Sequence, residues 1–283
     1  MRHVIVELLI MAALPTTAGS LSRDLFAFDN GTGRDQKLPL AEQASILKKA
    51  GYAGMGMYTG TQRIPELLSA LDGERLRLLA IYVHSFVDGT EPRIDPGLPA
   101  AIAQLARRET MIMLTLRGQA PDAEARAVET VRQVADLATA AGLRVCLYPH
   151  IGFYVETTAD ALRIVRKAGR KNAGVALNLY HTVQFHRIRC GEDDLRFETL
   201  LKQALPELFL VSVNGIRGSE IVPLGQGDYD VARFLKALNG AGYQGPVALQ
   251  SYQIKGGILD NLRASRQAWE SMLRSIHGQL RRD

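Results

Sequence analysis

Cysteine and tryptophan are scarce in this chain: two of the first and one of the second among 283 residues. Two cysteines cannot build a disulfide framework. Cys146 lies within Val145-Cys146-Leu147, where a buried, inert thiol is expected, and nothing favours a bond to Cys190. Long apolar runs are also missing. After the first residues, no segment approaches the roughly 20 apolar residues that a membrane-spanning helix requires. Gly31-Thr32-Gly33 does not complete a dinucleotide-binding fingerprint. Nor is charge of one sign concentrated. The chain has 34 Lys and Arg against 29 Asp and Glu, with only short basic clusters such as Arg166-Lys167 and Arg170-Lys171. A solvated basic surface follows from the net charge of +5, and no nucleic-acid motif accompanies it.

The chain opens Met1-Arg2-His3, then a mostly apolar Val4–Leu14, then Thr16-Thr17-Ala18-Gly19-Ser20. A basic start, a short apolar stretch and small residues are the parts of a secretory signal, although Glu7 interrupts the stretch. Residues 1–20 are therefore expected to be a signal peptide, and the protein to be exported (periplasmic or secreted). The alternative is a cytoplasmic chain whose Val4–Met11 segment packs as a buried strand or helix.

From Leu25 onward, strand and helix patterns alternate. Strands are predicted at Leu25–Asn30, Ala53–Tyr58, Leu76–His84, Met111–Leu116, Arg144–His150, Gly174–Leu179, Leu208–Asn214 and Val247–Tyr252. Their near-continuous apolar runs suit strands buried on both faces. Helical spacing appears in Leu40–Ala50, Asp122–Ala141, Val231–Leu238 and Leu259–Leu273, and Gly51, Gly142 and Gly242 follow three of these helices as C-terminal caps. Eight strands alternating with helices over about 250 residues predict an α/β fold, a single-domain (β/α)8 TIM barrel spanning residues 25–275. A doubly wound open sheet is the runner-up.

Functional groups in such barrels project from the carboxyl ends of the strands. That rule nominates Asp29, Asn30, Tyr58, His84, Tyr148, His150, Asn178, His181, Ser212, Asn214, Gln250 and Tyr252, with His186 just beyond one strand end. The last four strands end in Tyr148-Pro149-His150, Asn178-Leu179-Tyr180-His181, Ser212-Val213-Asn214 and Gln250-Ser251-Tyr252, and none of these clusters holds a carboxylate. Histidine titrates near neutrality, so His150 and His181 are the candidate acid and base. Tyr148, Asn178, Asn214, Gln250, His84 and Tyr252 are the candidate substrate-binding residues, since amides and hydroxyls can orient sugar hydroxyls and aromatic rings can stack on a sugar.

The stretch Pro223-Leu224-Gly225-Gln226-Gly227-Asp228-Tyr229-Asp230, the stretch Ala241-Gly242-Tyr243-Gln244-Gly245-Pro246 and the spacing Asn178-x-x-His181 resemble the xylose isomerase-like TIM barrels, the sugar phosphate isomerases and epimerases. The resemblance implies a divalent metal held by Glu, Asp, His and Glu on strands five to eight, with the glutamates moving the proton. At those positions this chain has Tyr148, Asn178, Ser212 and Gln250, while His181 is retained. Losing three anions from a divalent site removes most of the attraction that offsets its desolvation. No cofactor is therefore expected; a rearranged histidine-bound divalent metal is the minority alternative. The expected function is a carbohydrate-active, isomerase- or epimerase-like protein working without that carboxylate metal site. Alternatives are a non-catalytic sugar-binding barrel, or a lyase or hydrolase acting on an oxidised sugar. The expected partner is a small-molecule carbohydrate, with no nucleic acid and no membrane after signal removal; the sequence leaves the oligomeric state open.

Overall fold

The computed structural model describes residues 20–57, 61–89, 94–191 and 195–279. The expected signal peptide lies outside these residues except for Ser20, and Tyr58 lies outside them too. In chain order the elements are β1 (Phe26–Phe28), α1 (Leu40–Lys49), β2 (Gly54–Met57), α2 (Ile64–Gly73), β3 (Arg77–Phe86), α3 (Leu98–Gln104), β4 (Met111–Arg117), α4 (Ala123–Thr139), β5 (Arg144–Leu147), α5 (Thr158–Ala168), β6 (Ala173–Asn178), α6 (Leu179–Cys190), α7 (Phe197–Ala204), β7 (Leu208–Val213), β8 (Gly215–Arg217), β9 (Glu220–Val222), α8 (Val231–Gly240), β10 (Val247–Leu249) and α9 (Ile258–Gln279). Eight of the strands form a closed parallel barrel in the order β1-β10-β7-β6-β5-β4-β3-β2, while β8 and β9 form a separate antiparallel hairpin.

Closure follows from the sequence pattern. Strands buried on both faces can place one row of side chains inside the barrel and the other against the helices. Phe26, Phe28, Ala80, Tyr82, Met113, Tyr148, Ala176 and Leu210 belong to one buried cluster. A much larger cluster joins Met55, Ile112, Leu114, Val145 and Val175 to the helices. The alternation along β4, Ile112 and Leu114 in one cluster with Met111 and Met113 in the other, is the period of two expected of a strand. Glycine makes room inside: a Cβ on Gly56 would lie 2.6 Å from the Phe28 ring. The helix-ending glycines Gly51, Gly142 and Gly242 have φ of 78°, 72° and 82°, the left-handed conformation their position demands.

Several strands stop earlier than their apolar pattern suggests, and those early stops shape the functional face. β5 ends at Leu147 because Pro149 has no N–H for the ladder, although the Tyr148 N–H still reaches Leu114 C=O at 2.8 Å. β10 ends at Leu249, and Gln250 makes one last ladder bond to Val213 C=O at 2.9 Å. Conversely, β3 runs two residues past His84, to Phe86. No helix among the described residues is long and apolar enough to cross a membrane.

Candidate active site

A cavity of about 550 Å³ opens at the carboxyl end of the barrel. Its lining includes Asp29 and Arg34 after β1, Tyr82 and Met113 inside the barrel, Tyr148 and His150 after β5, Tyr180 and His181 on α6, Ile221 on β9, and Gln250 and Tyr252 after β10. A cavity of about 780 Å³ lies at the opposite, amino end. Two of its arginines, Arg77 and Arg108, pair with Asp24 and Asp72. The amino end of a barrel carries stability rather than chemistry, so the smaller carboxyl-end cavity is the candidate site.

His150 and His181 come together in it, with ring centroids 3.9 Å apart and planes tilted by 43°. The chain leaving β5 turns at once: Phe153 N–H donates to His150 C=O at 3.0 Å, and His150 N–H donates to Val155 C=O at 2.9 Å. His150 Nδ1 lies 2.7 Å from Ile151 C=O. A carbonyl only accepts, so Nδ1 carries the proton and Nε2 keeps the lone pair. Burial holds His150 below the ordinary histidine range, with Arg117 adding to the effect and the Ile151 carbonyl opposing it. A neutral imidazole with Nε2 as acceptor is a general base.

His181 is 6 % exposed, and neither of its ring nitrogens has a hydrogen-bond partner among the described residues. Burial, then the neighbouring His150, pushes it well below the ordinary range. A buried imidazole with two unmet nitrogens costs about 1–3 kcal/mol per group unless something bonds to it. A polar ligand in the cavity would supply that bond. His84 stands one layer away: its Nδ1 is 2.6 Å from Thr115 Oγ1, and its ring contacts Tyr82 edge-on at 5.2 Å. Burial, then Arg117 and His150, drives His84 down to about 4. His186, farther along α6, does not line the cavity, and its Nδ1 is buried without a partner among the described residues.

The amides divide into two groups. Gln250 lines the cavity, as do Tyr148 and Tyr252, the last of these 46 % exposed. Asn178 and Asn214 are buried and not among the lining residues. Asn178 caps α6: its Oδ1 accepts from His181 N–H at 3.0 Å, and its Nδ2 donates to Tyr148 Oη. Asn214 Nδ2 donates to Gly215 C=O at 2.8 Å. The sequence pattern missed Arg34, which pairs with buried Asp29 at 3.2 Å, and also Phe153 and Arg117 beside the histidines. Arg117 was legible in principle, since it is the last residue of a barrel strand.

The donor set does not fit the family's metal. At the four positions that the resemblance assigns to it stand a phenol, an amide already spent on the α6 cap and Tyr148, an uncharged hydroxyl whose Oγ is buried without a partner among the described residues (Ser212), and a second amide. Hard divalent cations take oxygen ligands that include one or more carboxylates, and none of these four residues carries one. Among the described residues, no group of three or more His, Cys, Asp or Glu side chains is placed to hold a metal ion.

Residues 100–274 match the xylose isomerase-like TIM barrel family, and the chain belongs to it. Over 128 residues it is 30% identical to a 3-dehydroshikimate dehydratase of Pseudomonas aeruginosa, a match covering 44% of this chain and 20% of that protein. The matched part is thus about a fifth of that relative's length. The fold is similar to that of 3-keto-D-glucoside 4-epimerase from E. coli in its apo form, at 17% identity and TM-score 0.66 over 91% of this chain and 98% of that one. It is also similar to the IOLI protein with a binding zinc atom, at 17% identity and TM-score 0.70 over 89% and 99% of the two chains.

Proposed function

We propose that the protein is an acid–base enzyme that takes a proton from carbon beside the carbonyl of a sugar-like hydroxyketone, without the family's carboxylate metal site. The observation that carries this reading is the imidazole pair: His150 with its lone pair on Nε2, in contact with a buried His181 whose nitrogens have no partner among the described residues. His150 Nε2 takes the proton, the C–H bonding electrons move to the carbonyl oxygen, and Tyr148 lies beside the pair to hydrogen-bond that oxygen. Gln250 and Tyr252 orient the remaining hydroxyls.

The two rings are in contact and therefore approach a bound ligand from one side. Two-base inversion needs groups on opposite faces of a carbon, so this geometry favours return of the proton on the same face, as in aldose–ketose isomerisation. A second reading, dehydration through loss of a neighbouring hydroxyl, is supported by the 30% identity to a dehydratase. It begins with the same proton removal.

The test is solvent exchange. A panel of hydroxyketones, ketosugars and oxidised sugars is incubated with the protein in deuterium oxide and followed by proton NMR. Enzyme-dependent exchange beside a carbonyl is expected, with product analysis separating isomer from dehydrated product. His150→Gln and His181→Gln are each expected to slow exchange by about 10²-fold or more. Saturable thermal stabilisation by a sugar without exchange or turnover would replace this reading with a non-catalytic sugar-binding barrel.

A further inference from the structure

The imidazole pair is the end of a longer column. Arg117 Cζ sits 4.2 Å from the centroid of the Phe153 ring. Phe153 stacks on His150 at 4.0 Å with only 16° between planes, and His150 meets His181 at 3.9 Å. The backbone fixes this order. Tyr154 N–H donates to Leu116 C=O at 3.0 Å, which brings the loop after β5 against the end of β4, where Arg117 projects. Gly152, at φ 82°, permits the tight turn that brings Phe153 back onto His150.

Arg117 has no carboxylate partner among the described residues, and its Nε is buried without an acceptor. The other charges around His150 are matched. Glu156 accepts from Gly152 N–H at 2.8 Å and lies 3.7 Å from Arg189, while Asp29, across the cavity, is paired with Arg34. The remaining titratable groups facing His150 are His181, Tyr148 at 6.5 Å and, beyond Phe153, His84.

We propose that Arg117 is the positioning residue of this site: through Phe153 it holds the His150 ring in place, and its charge, which has no carboxylate partner among the described residues, adds to burial in keeping His150 and His84 uncharged, so that the site receives protons from substrate rather than from water. This rests on the acid–base reading of the cavity and supplies what it needs, a base that stays unprotonated below neutrality. The direction of the electrostatic effect agrees, since Arg117 is among the causes that lower both His84 and His150.

The experiment is an NMR titration of the histidine rings in the intact protein, which needs no substrate. With Arg117→Gln the His150 midpoint is expected to rise, because a cation is removed from the end of the column. Arg117→Lys keeps the charge and is expected to leave the midpoint low. An unchanged midpoint in Arg117→Gln, or an equal rise in Arg117→Lys, overturns the proposal. If Arg117→Gln does not fold, the unmodified protein still decides, because a His150 that titrates at or above the ordinary value of 6.5 is incompatible with it. For any substrate that exchanges, the acid limb of the rate profile should move upward with the Arg117→Gln midpoint. A normal titration shift with no exchange on any substrate would leave the Arg117 role standing and retire the catalytic reading alone.

Discussion

At the scale of single residues, three histidines, two lining the cavity and one beside them, also set how the protein responds to acid. His84, His150 and His181 all lie below their ordinary value in the folded state, chiefly through burial. The unfolded chain binds protons more readily than the folded one in this range. Their contribution to stability is therefore complete above about 6.5 and is lost as the pH falls toward the His84 value of about 4. Urea unfolding midpoints are expected to drop between pH 7 and pH 5, and His84→Gln should make the drop smaller. Identical midpoints at the two pH values would remove this account. The histidines at strand ends were readable because strand ends are readable. Their neutrality was not, since it arises from burial and from Arg117 on another strand, and neither is local in sequence. Arg117 itself escaped notice because the fourth strand read as an apolar run ending at Leu116, although the structure carries it one residue further.

At the scale of elements, α6 joins fold to site. It begins without a connecting loop at the end of β6, and Asn178 is both the last residue of the strand and the helix cap. The same side chain serves Tyr148. Asn178→Ala should cost about 1–2 kcal/mol in thermal or denaturant unfolding, while Asn178→Asp, which keeps an acceptor for the cap, should cost less. Equal losses in the two variants would show that the cap is not what matters. Asparagine after an apolar strand reads equally as a ligand-binding amide or as a cap, and only the position of His181 N–H distinguishes the two. The β8–β9 hairpin was not anticipated, because Gly215–Val222 lacks a strong alternating pattern. Its tip is fixed by donors from α6: Tyr180 Oη to Ser219 C=O at 2.8 Å, and Gln184 and Arg187 to Gly218 C=O, each at 2.7 Å.

At the scale of the whole molecule, the barrel was legible because it rests on a repeated pattern, and repeated apolar strands followed by helix-ending glycines leave few other closures. Closure also depends on contacts between distant parts of the chain. Trp269 on α9 is fully buried, and its Nε1 donates to Arg23 C=O at 3.2 Å. Arg266 donates to the same carbonyl at 2.7 Å, and Tyr52 Oη donates to Leu262 C=O at 3.0 Å. Trp269→Ala is expected to lose about 3–5 kcal/mol in chemical denaturation, and a loss below about 1 kcal/mol would mean that α9 is not part of the cooperative unit. We propose export as well, on the pattern of residues 1–20; the mass of the mature protein recovered from its cells would decide it. The hairpin anchored on α6 has a last consequence. The helix that carries His181 and Tyr180 also holds the hairpin that bears Ile221, so floor and wall are tied together, and the half-exposed Tyr252 follows β10, the strand beside β7. Such a cavity has a built-in template: a ligand would be measured against α6 and the hairpin that it carries.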